Sequence, residues 1–546
     1  MTDRSDPLNR RQILAAGGTA AAGLTLELRV AGAAEAPVAR TTSGTMRGYA
    51  NGNVKVFKGV PYGASTDGEN RFMPPRPPVT WTGIRDATAY GDQCPQLPAA
   101  GFMDEERVSL DKSPMSEDCL RLNVWTAGLK DGKERPVMVW FHGGGFSGGS
   151  GGNVRYDGTN LAQKHGVVLV TVNHRLNAFG FLYLGGIGGE KYADSGNAGM
   201  LDIVAALNWV GNNIAEFGGD PQNVTVFGQS GGGSKVTTLM AMPQAVGRIH
   251  KVIAESGLAL KAVTPDEATD VAKGVMTKLG LQPGQVDELQ RLPVQRILDA
   301  LAALGTGGGR FGPVFDHRSL VSGNGAFDPV APSLSADIPM ILGSTLTEVT
   351  FLNATPLDPI DDATLRLKFK QTLRVDDGQT EKLIALYKRD FPGSTNVHLF
   401  QLLATDNWLT ANVALVAERK AALGKAPAYV YHFQKSTPVH GGKLEVPHTL
   451  EIPYVFDNLD VPTARLVTGD GKDRYPLADK MSRAWTNFAR TGKPDAPGVP
   501  QWRPYSPADR AVMVFNDECK LVVDPNSEER VAITEIHVQQ GQVSRS

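Results

Sequence analysis

Apolar residues fall into two kinds of run along the 546-residue chain, and the two alternate through its middle. Pro136-Val-Met-Val-Trp-Phe141 is uninterrupted and ends in glycines, and Gly166-Val-Val-Leu-Val-Thr-Val172 is rich in β-branched residues. Asn223 to Phe227, His250 to Ala254, Pro339 to Leu342 and Ala428 to Phe433 have the same short, strand-like character. Between them, Met200 to Ile214 carries apolar residues at helical spacing until Phe217-Gly-Gly-Asp-Pro221 breaks it, and Ser234 to Met242 reads as helix. Continuous apolar strands belong to a sheet covered on both faces, and the helices supply the crossovers that parallel strands need. The pattern predicts an α/β fold with a mostly parallel central sheet. Residues 260–335 and 355–425 are helical and loop-like, with Gly/Pro punctuation at 305–313. Without repeats or a long low-complexity linker, they read as insertions in one domain, placed to wall a substrate site.

Composition narrows the picture. Hydrophobic content of 41% and charged content of 21% are those of an ordinary globular chain. A net charge of −2 without a basic block excludes nucleic acid as a partner, because phosphate binding needs clustered Lys and Arg. No internal run reaches the roughly 18 apolar residues of a membrane span.

The N-terminus differs. Asn9-Arg-Arg-Gln-Ile-Leu14 precedes a weakly hydrophobic Ala/Gly/Leu run to about Leu26, then Ala31-Gly-Ala33 and Ala34-Glu-Ala36. This resembles a bacterial twin-arginine export signal over residues 1–36, with residues 37–546 as the exported domain in the periplasm or outside the cell. Glu27 and Arg29 blur the end of the apolar run. Removing 1–36 takes away four basic and four acidic groups, so the charge stays at −2. In an oxidising compartment the three cysteines, Cys94, Cys119 and Cys519, allow one bridge and one thiol. No CxxC or His/Cys spacing suggests a metal.

Gly228-Gln-Ser-Gly-Gly-Gly-Ser-Lys235 puts one serine among glycines directly after a strand. It misses the phosphate-cradling G-x-x-x-x-G-K-[ST] pattern, since Ser234 stands at the lysine position and Val236 lacks a hydroxyl. Gly143-Gly-Gly-Phe-Ser-Gly148 matches G-x-G-x-x-G, but the next strand ends Val172-Asn-His174 with no acid for a ribose. A nucleophile reading fits both loops at once. Gly228-Gln-Ser-Gly-Gly232 has the G-x-S-x-G form of a strained strand-to-helix corner, which lifts the Ser230 hydroxyl above the sheet. The following helix aims its N-terminus at an oxyanion formed there, and His142-Gly-Gly-Gly-Phe146 can add backbone N–H donors.

Serine needs a base and a group to orient it, in the chain order Ser, acid, His. Glu348 lies on the outgoing side of the strand 339–342, whereas Asp337 lies at its entry. Five histidines follow: His398, His432, His440, His448 and His537. His398 falls in a helix-like stretch and His432 in a strand, and His440 beside two glycines competes with His448 on chemistry alone.

From Thr42 to Ile533 the chain resembles the type-B carboxylesterase family of α/β-hydrolases. The likeness rests on Phe57-Lys-Gly-Val-Pro-Tyr62, Glu117-Asp-Cys-Leu-Arg-Leu-Asn-Val-Trp125, His142–Phe146, Asn197-Ala-Gly-Met-Leu-Asp202 and Phe217–Pro221. It continues in Glu255-Ser-Gly257, Gly343–Glu348, His448-Thr-Leu-Glu-Ile-Pro-Tyr-Val-Phe456 and Trp485-Thr-Asn-Phe-Ala-Arg490. The resemblance implies an α/β-hydrolase fold with large helical insertions and hydrolysis of carboxylic esters through an acyl-enzyme, with no cofactor and no metal. It selects His448, three residues before the Glu of an E-[LI]-P-Y segment, as base beside Ser230 and Glu348. It also implies Gly144, Gly145 and Gly231 as the oxyanion hole, Ser256 near the site, and a Cys94–Cys119 disulfide whose loop is worth roughly 3–4 kcal/mol on the chain-entropy model. Cys519 matches no family feature and reads as a buried thiol. The same machinery would serve an amide, carbamate or thioester hydrolase, and some relatives are binding modules lacking a triad member. The partner implied is a small ester, and the chain is a monomer or homodimer.

The family's usual G-E-S-A-G becomes G-Q-S-G-G here, with Gln229 and Gly231 as the departures. At about 7 Å and an effective dielectric near 20, the charge missing at 229 is worth roughly 2 kcal/mol at most, or about one pKa unit after screening. Its absence favours neutral, fairly apolar esters over cationic ones.

Overall fold

Seven consecutive buried residues, Arg135–Phe141, show how this sheet is built. Val137, Val139 and Phe141 enter one hydrophobic core while Met138 and Trp140 enter another, as the two-residue period of a strand requires. Both faces are covered, so every position after Arg135 is apolar and the strand reads as a continuous run.

The structure is a computed structural model that describes residues 35–305, 311–321 and 327–544. The export signal expected over 1–36 lies almost wholly outside them. The described strands, in chain order, are β1 (Val38–Thr41), β2 (Gly44–Arg47), β3 (Tyr49–Asn51), β4 (Val54–Pro61), β5 (Ile84–Asp86), β6 (Arg121–Thr126) and β7 (Arg135–Phe141). They continue with β8 (Val168–Val172), β9 (Gly219–Gln229), β10 (Lys251–Glu255), β11 (Met340–Thr345), β12 (Ala428–Phe433), β13 (Ala511–Phe515) and β14 (Lys520–Val523). Eleven of them form one sheet in the order β14-β13-β12-β11-β10-β9-β7-β8-β6-β4-β3, and β1, β2 and β5 form a small separate one. From β8 across to β13 the neighbours are parallel, and antiparallel pairs close both edges.

Helix Ala198–Asn213 lays Met200, Ile203, Leu207 and Val210 on one face of the sheet. Helix Arg474–Thr491 lays Leu477, Met481, Ala484, Trp485 and Phe488 on the other. Both sets recur at three- and four-residue steps, the spacing of one helical stripe. Residues 362–405 build their own core, where Leu365, Phe369, Tyr387 and Leu403 meet Ile533 and Ile536 of the C-terminal helix Ser527–Gln539.

Two boundaries differ from the sequence reading. The helix expected from Ser234 starts at Gly231, directly after the serine, because a glycine triplet can begin a helix where the corner demands it. Asp220 and Pro221, read as a break, lie inside β9, whose register with β7 shifts between Arg135 and Val137. No helix among the described residues is long and apolar enough to cross a membrane.

Candidate active site

The outgoing ends of β7, β9 and β11 lie together at one edge of the parallel sheet, where α/β folds gather their chemistry. β9 ends at Gln229, and Ser230 turns the corner at φ 58° and ψ −124° before helix Gly231–Leu239 begins. A serine held at positive φ is strained and persists only where the surroundings over-determine it. Here the Ser230 N–H donates to the Glu255 carbonyl at 2.8 Å and the Ser230 carbonyl accepts from Ser234 N–H at 3.0 Å. A Cβ on Gly232 would sit 1.9 Å from the Phe141 carbonyl, and one on Gly257 would sit 1.8 Å from that of Ser230. Only glycine lets the three backbones close on this corner.

The His142–Phe146 loop leaves β7 beside it. Gly144 has φ 87° and Gly145 φ 63°, which points their amides away from regular pairing. Neither amide donates a hydrogen bond among the described residues. Gly231, the first residue of its helix, has an N–H with no intrahelical acceptor. A Cβ on Gly231 would lie 2.5 Å from Gly145 N and 2.2 Å from its carbonyl oxygen, so the loop and the helix start are in contact. The glycine at 231 is what permits that approach.

On the other side, Glu348 opens a short 3₁₀ turn three residues beyond β11. One of its oxygens accepts the Thr345 N–H at 2.7 Å, and the other lies 2.5 Å from His448 Nδ1. Both side chains are buried, and the His448 N–H also donates to the Glu348 carbonyl at 3.3 Å. The second ring nitrogen, Nε2, lies 3.1 Å from the Gln229 amide nitrogen, a contact far closer than sequence suggested. An amide N–H donating there favours the neutral imidazole with its proton on Nδ1. Burial opposes protonation of His448, but the charge and hydrogen bond of Glu348, with the charges of Glu451 and Glu106, raise its pKa from the ordinary 6.5.

Behind His448 lie two further buried carboxyl groups. Glu451 accepts from Ser256 Oγ at 3.0 Å, and burial and the Glu348 charge push its pKa to about 7. Glu255 accepts from Trp485 Nε1 at 2.7 Å and is pushed well up, by burial and then by Glu451. One oxygen of each has no partner among the described residues, as suits a protonated carboxyl. His440 is half-exposed and pairs with Glu105 at 2.9 Å, while His398 pairs with Glu445 and His537 with Asn407. None of the described residues forms a cluster of three His, Cys, Asp or Glu side chains suited to a metal.

Some features had no signal in the sequence. Phe351 and Trp408 lie 4.7 and 5.0 Å from the His448 ring, and Phe102 stacks on Phe351 at 5.2 Å. Trp408 reaches this position from a π-helical turn, Asp406–Thr410, in the second insertion, and stays 38% exposed. Cys94 and Cys119 are unbridged buried thiols, and the neighbouring Cys94 together with burial pushes the Cys119 thiol well above its ordinary range; Cys519 is buried apart from them.

Residues 35–534 match the model of the carboxylesterase family. The chain belongs to that family. It is a carboxylic ester hydrolase of the α/β-hydrolase fold. It is 35% identical to a para-nitrobenzyl esterase of Bacillus subtilis over 90% of this chain and 97% of that one, and 33% identical to a phenmedipham hydrolase of Pseudarthrobacter oxydans over 88% and 95%. Among solved structures, a Geobacillus stearothermophilus carboxylesterase superposes with a TM-score of 0.76 at 35% identity, over 91% of this chain and 99% of that one. A Clostridium hathewayi esterase described as hydrolysing aliphatic aromatic polyesters gives 0.78 at 32%, over 92% and 99%.

Proposed function

We propose that this carboxylesterase works through an acyl-enzyme on Ser230, with His448 as general base, Glu348 as its orienting partner, and the amides of Gly144, Gly145 and Gly231 as the oxyanion hole. The observation that carries the reading is the buried Glu348–His448 pair, whose free ring nitrogen lies 3.1 Å from the side chain of Gln229, the residue before the strained serine corner. His448 takes the Ser230 proton as Oγ attacks the ester carbonyl, and the imidazolium is stabilised by Glu348. The glycine amides hold the oxyanion until the alcohol leaves with the proton from His448. Water then repeats the sequence on the acyl group.

The substrate is a neutral ester carrying an aryl or similarly flat apolar group. Support comes from the half-exposed Trp408 and the buried Phe351 beside His448, and from Gln229, which puts no charge beside the base. The relatives named for para-nitrobenzyl and phenmedipham substrates agree with that direction. A screen of aryl and alkyl esters of graded acyl length tests it: higher kcat/KM for aryl esters is expected, and a preference for choline-like esters contradicts it. We also propose export under the twin-arginine segment, with Cys94 and Cys119 bridged in the oxidised protein. The proximity of the two buried thiols supports this, and non-reducing peptide maps of secreted or periplasmic material test it.

A further inference from the structure

Lys235 lies one turn into the helix that follows the serine, and it is wholly buried. A buried ammonium ordinarily faces a carboxylate, because desolvation disfavours the charge. Lys235 has no carboxylate partner among the described residues. Its Nζ donates instead to the backbone carbonyl of His142 at 2.9 Å, with the Phe146 ring centroid 5.7 Å away. His142 and Phe146 bracket the three glycines of the oxyanion loop, so the ammonium touches the loop at its first residue and faces its last.

The groups around it suit a cation held for its own sake. The helix packs on β7, β9 and β10. From the end of β7 comes His142, and from the end of β8 His174, their rings stacked at 5.0 Å. Burial, and then the Lys235 charge, lower both imidazoles well below their usual range. Each ring uses Nδ1 on a neighbouring carbonyl and leaves Nε2 unpartnered and buried. Arg175 adds positive charge near His174 but is paired with Asp202 at 2.6 Å. Glu255 of β10 turns to Trp485 and is held neutral by burial.

We propose that Lys235 is a positioning residue of the oxyanion hole, which in its ammonium form clamps the His142 carbonyl and places positive charge behind the glycine loop. It rests on the assignment of the hole to Gly144, Gly145 and Gly231. It acts through the loop and touches no substrate. A charge set in place before reaction stabilises the anionic tetrahedral state more than the neutral ester. Its effect therefore falls on kcat and leaves KM nearly unchanged. Burial brings the amine down to about 7, so the charge is progressively lost as pH rises through neutrality. His448 must lose its proton over a neighbouring range, which gives a profile with two opposed limbs.

The test is Lys235→Met, which keeps the length and apolar stem, assayed with one neutral aryl ester across pH. The expected result is a drop in kcat of about tenfold or more with KM within about twofold, and loss of the alkaline limb. Inhibition by a trifluoromethyl ketone, which forms an anionic tetrahedral adduct, should weaken in parallel. Unchanged kcat with the alkaline limb intact overturns the proposal, as does a loss shared equally by kcat and KM. If the variant does not fold, the wild type decides alone: trifluoromethyl ketone affinity that falls above about pH 7 supports the clamp, and affinity that stays level to pH 9 overturns it. A failure of the Ser230 assignment would appear separately, as activity surviving Ser230→Ala.

Discussion

The two walls flanking Ser230 carry opposite electrostatics. On the base side, His448 is surrounded by Glu348, Glu451 and Glu106, with Glu255 behind. On the oxyanion side backbone amides, two neutral imidazoles and the buried Lys235 stand behind the loop, and Lys235 pairs with no carboxylate among the described residues. The difference follows the proton and the electron pair. In the proposed mechanism, a proton arriving on His448 makes a cation where carboxylates stabilise it, and the electron pair arriving on the ester oxygen makes an anion where N–H groups and an ammonium do. Gln229 sits between the walls and contributes hydrogen bonds without charge.

The sharpest way to break the contrast is to remove the atom between the walls. Ser230→Ala should lower kcat by about 10⁴-fold or more, leaving the residual rate due to the oxyanion hole and binding. His448→Ala should be comparably damaging, because base and nucleophile act as one unit, whereas His440→Ala at the half-exposed Glu105 pair should leave kcat nearly unchanged. Steady-state kinetics of both variants on one ester decide this, and the reverse pattern would move the base.

Gly231→Ala probes the oxyanion wall more gently. Its new methyl would press on the Gly145 backbone, so the loop must retreat, with a loss of about tenfold in kcat and little change in fold stability. A crystal structure or trifluoromethyl ketone affinity would register the shift.

The smallest effect sharpens the base wall. His448 already has a pKa raised above 6.5, so kcat/KM should rise with pH through an acid limb above that value, where the free imidazole appears. Gln229→Glu puts a carboxylate in contact with Nε2 and stabilises the imidazolium, which should move that limb up by about one unit or more. Paired pH–rate profiles measure it, and an unmoved limb would mean that the Gln229 contact does not persist in solution.

Much of the fold was legible because parallel strands buried on both faces leave a run that nothing else explains, as at 136–141 and 428–433. The antiparallel edges were not: β4 and β14 mix polar and apolar positions, and β4 pairs with β6, far along the chain. At the site, glycine triplets and a serine corner announced themselves, and Glu348 stood out by its place after a strand. His448 and His440 could not be separated by local chemistry, since what distinguishes them is burial against Glu348 rather than any flanking residue. Lys235, Phe351 and Trp408 escaped for the same reason. A lysine in a helix reads as solvated, and nothing in a one-dimensional pattern says that a π-turn will carry a tryptophan to an imidazole.

The central claim is that Ser230 is the nucleophile, and covalent labelling tests it most directly. An organophosphate should inactivate the wild-type enzyme at one equivalent per chain, with mass spectrometry locating the adduct on Ser230 and none forming in Ser230→Ala. An adduct on another residue, or an alanine variant that keeps more than about 1% of kcat, would contradict the account.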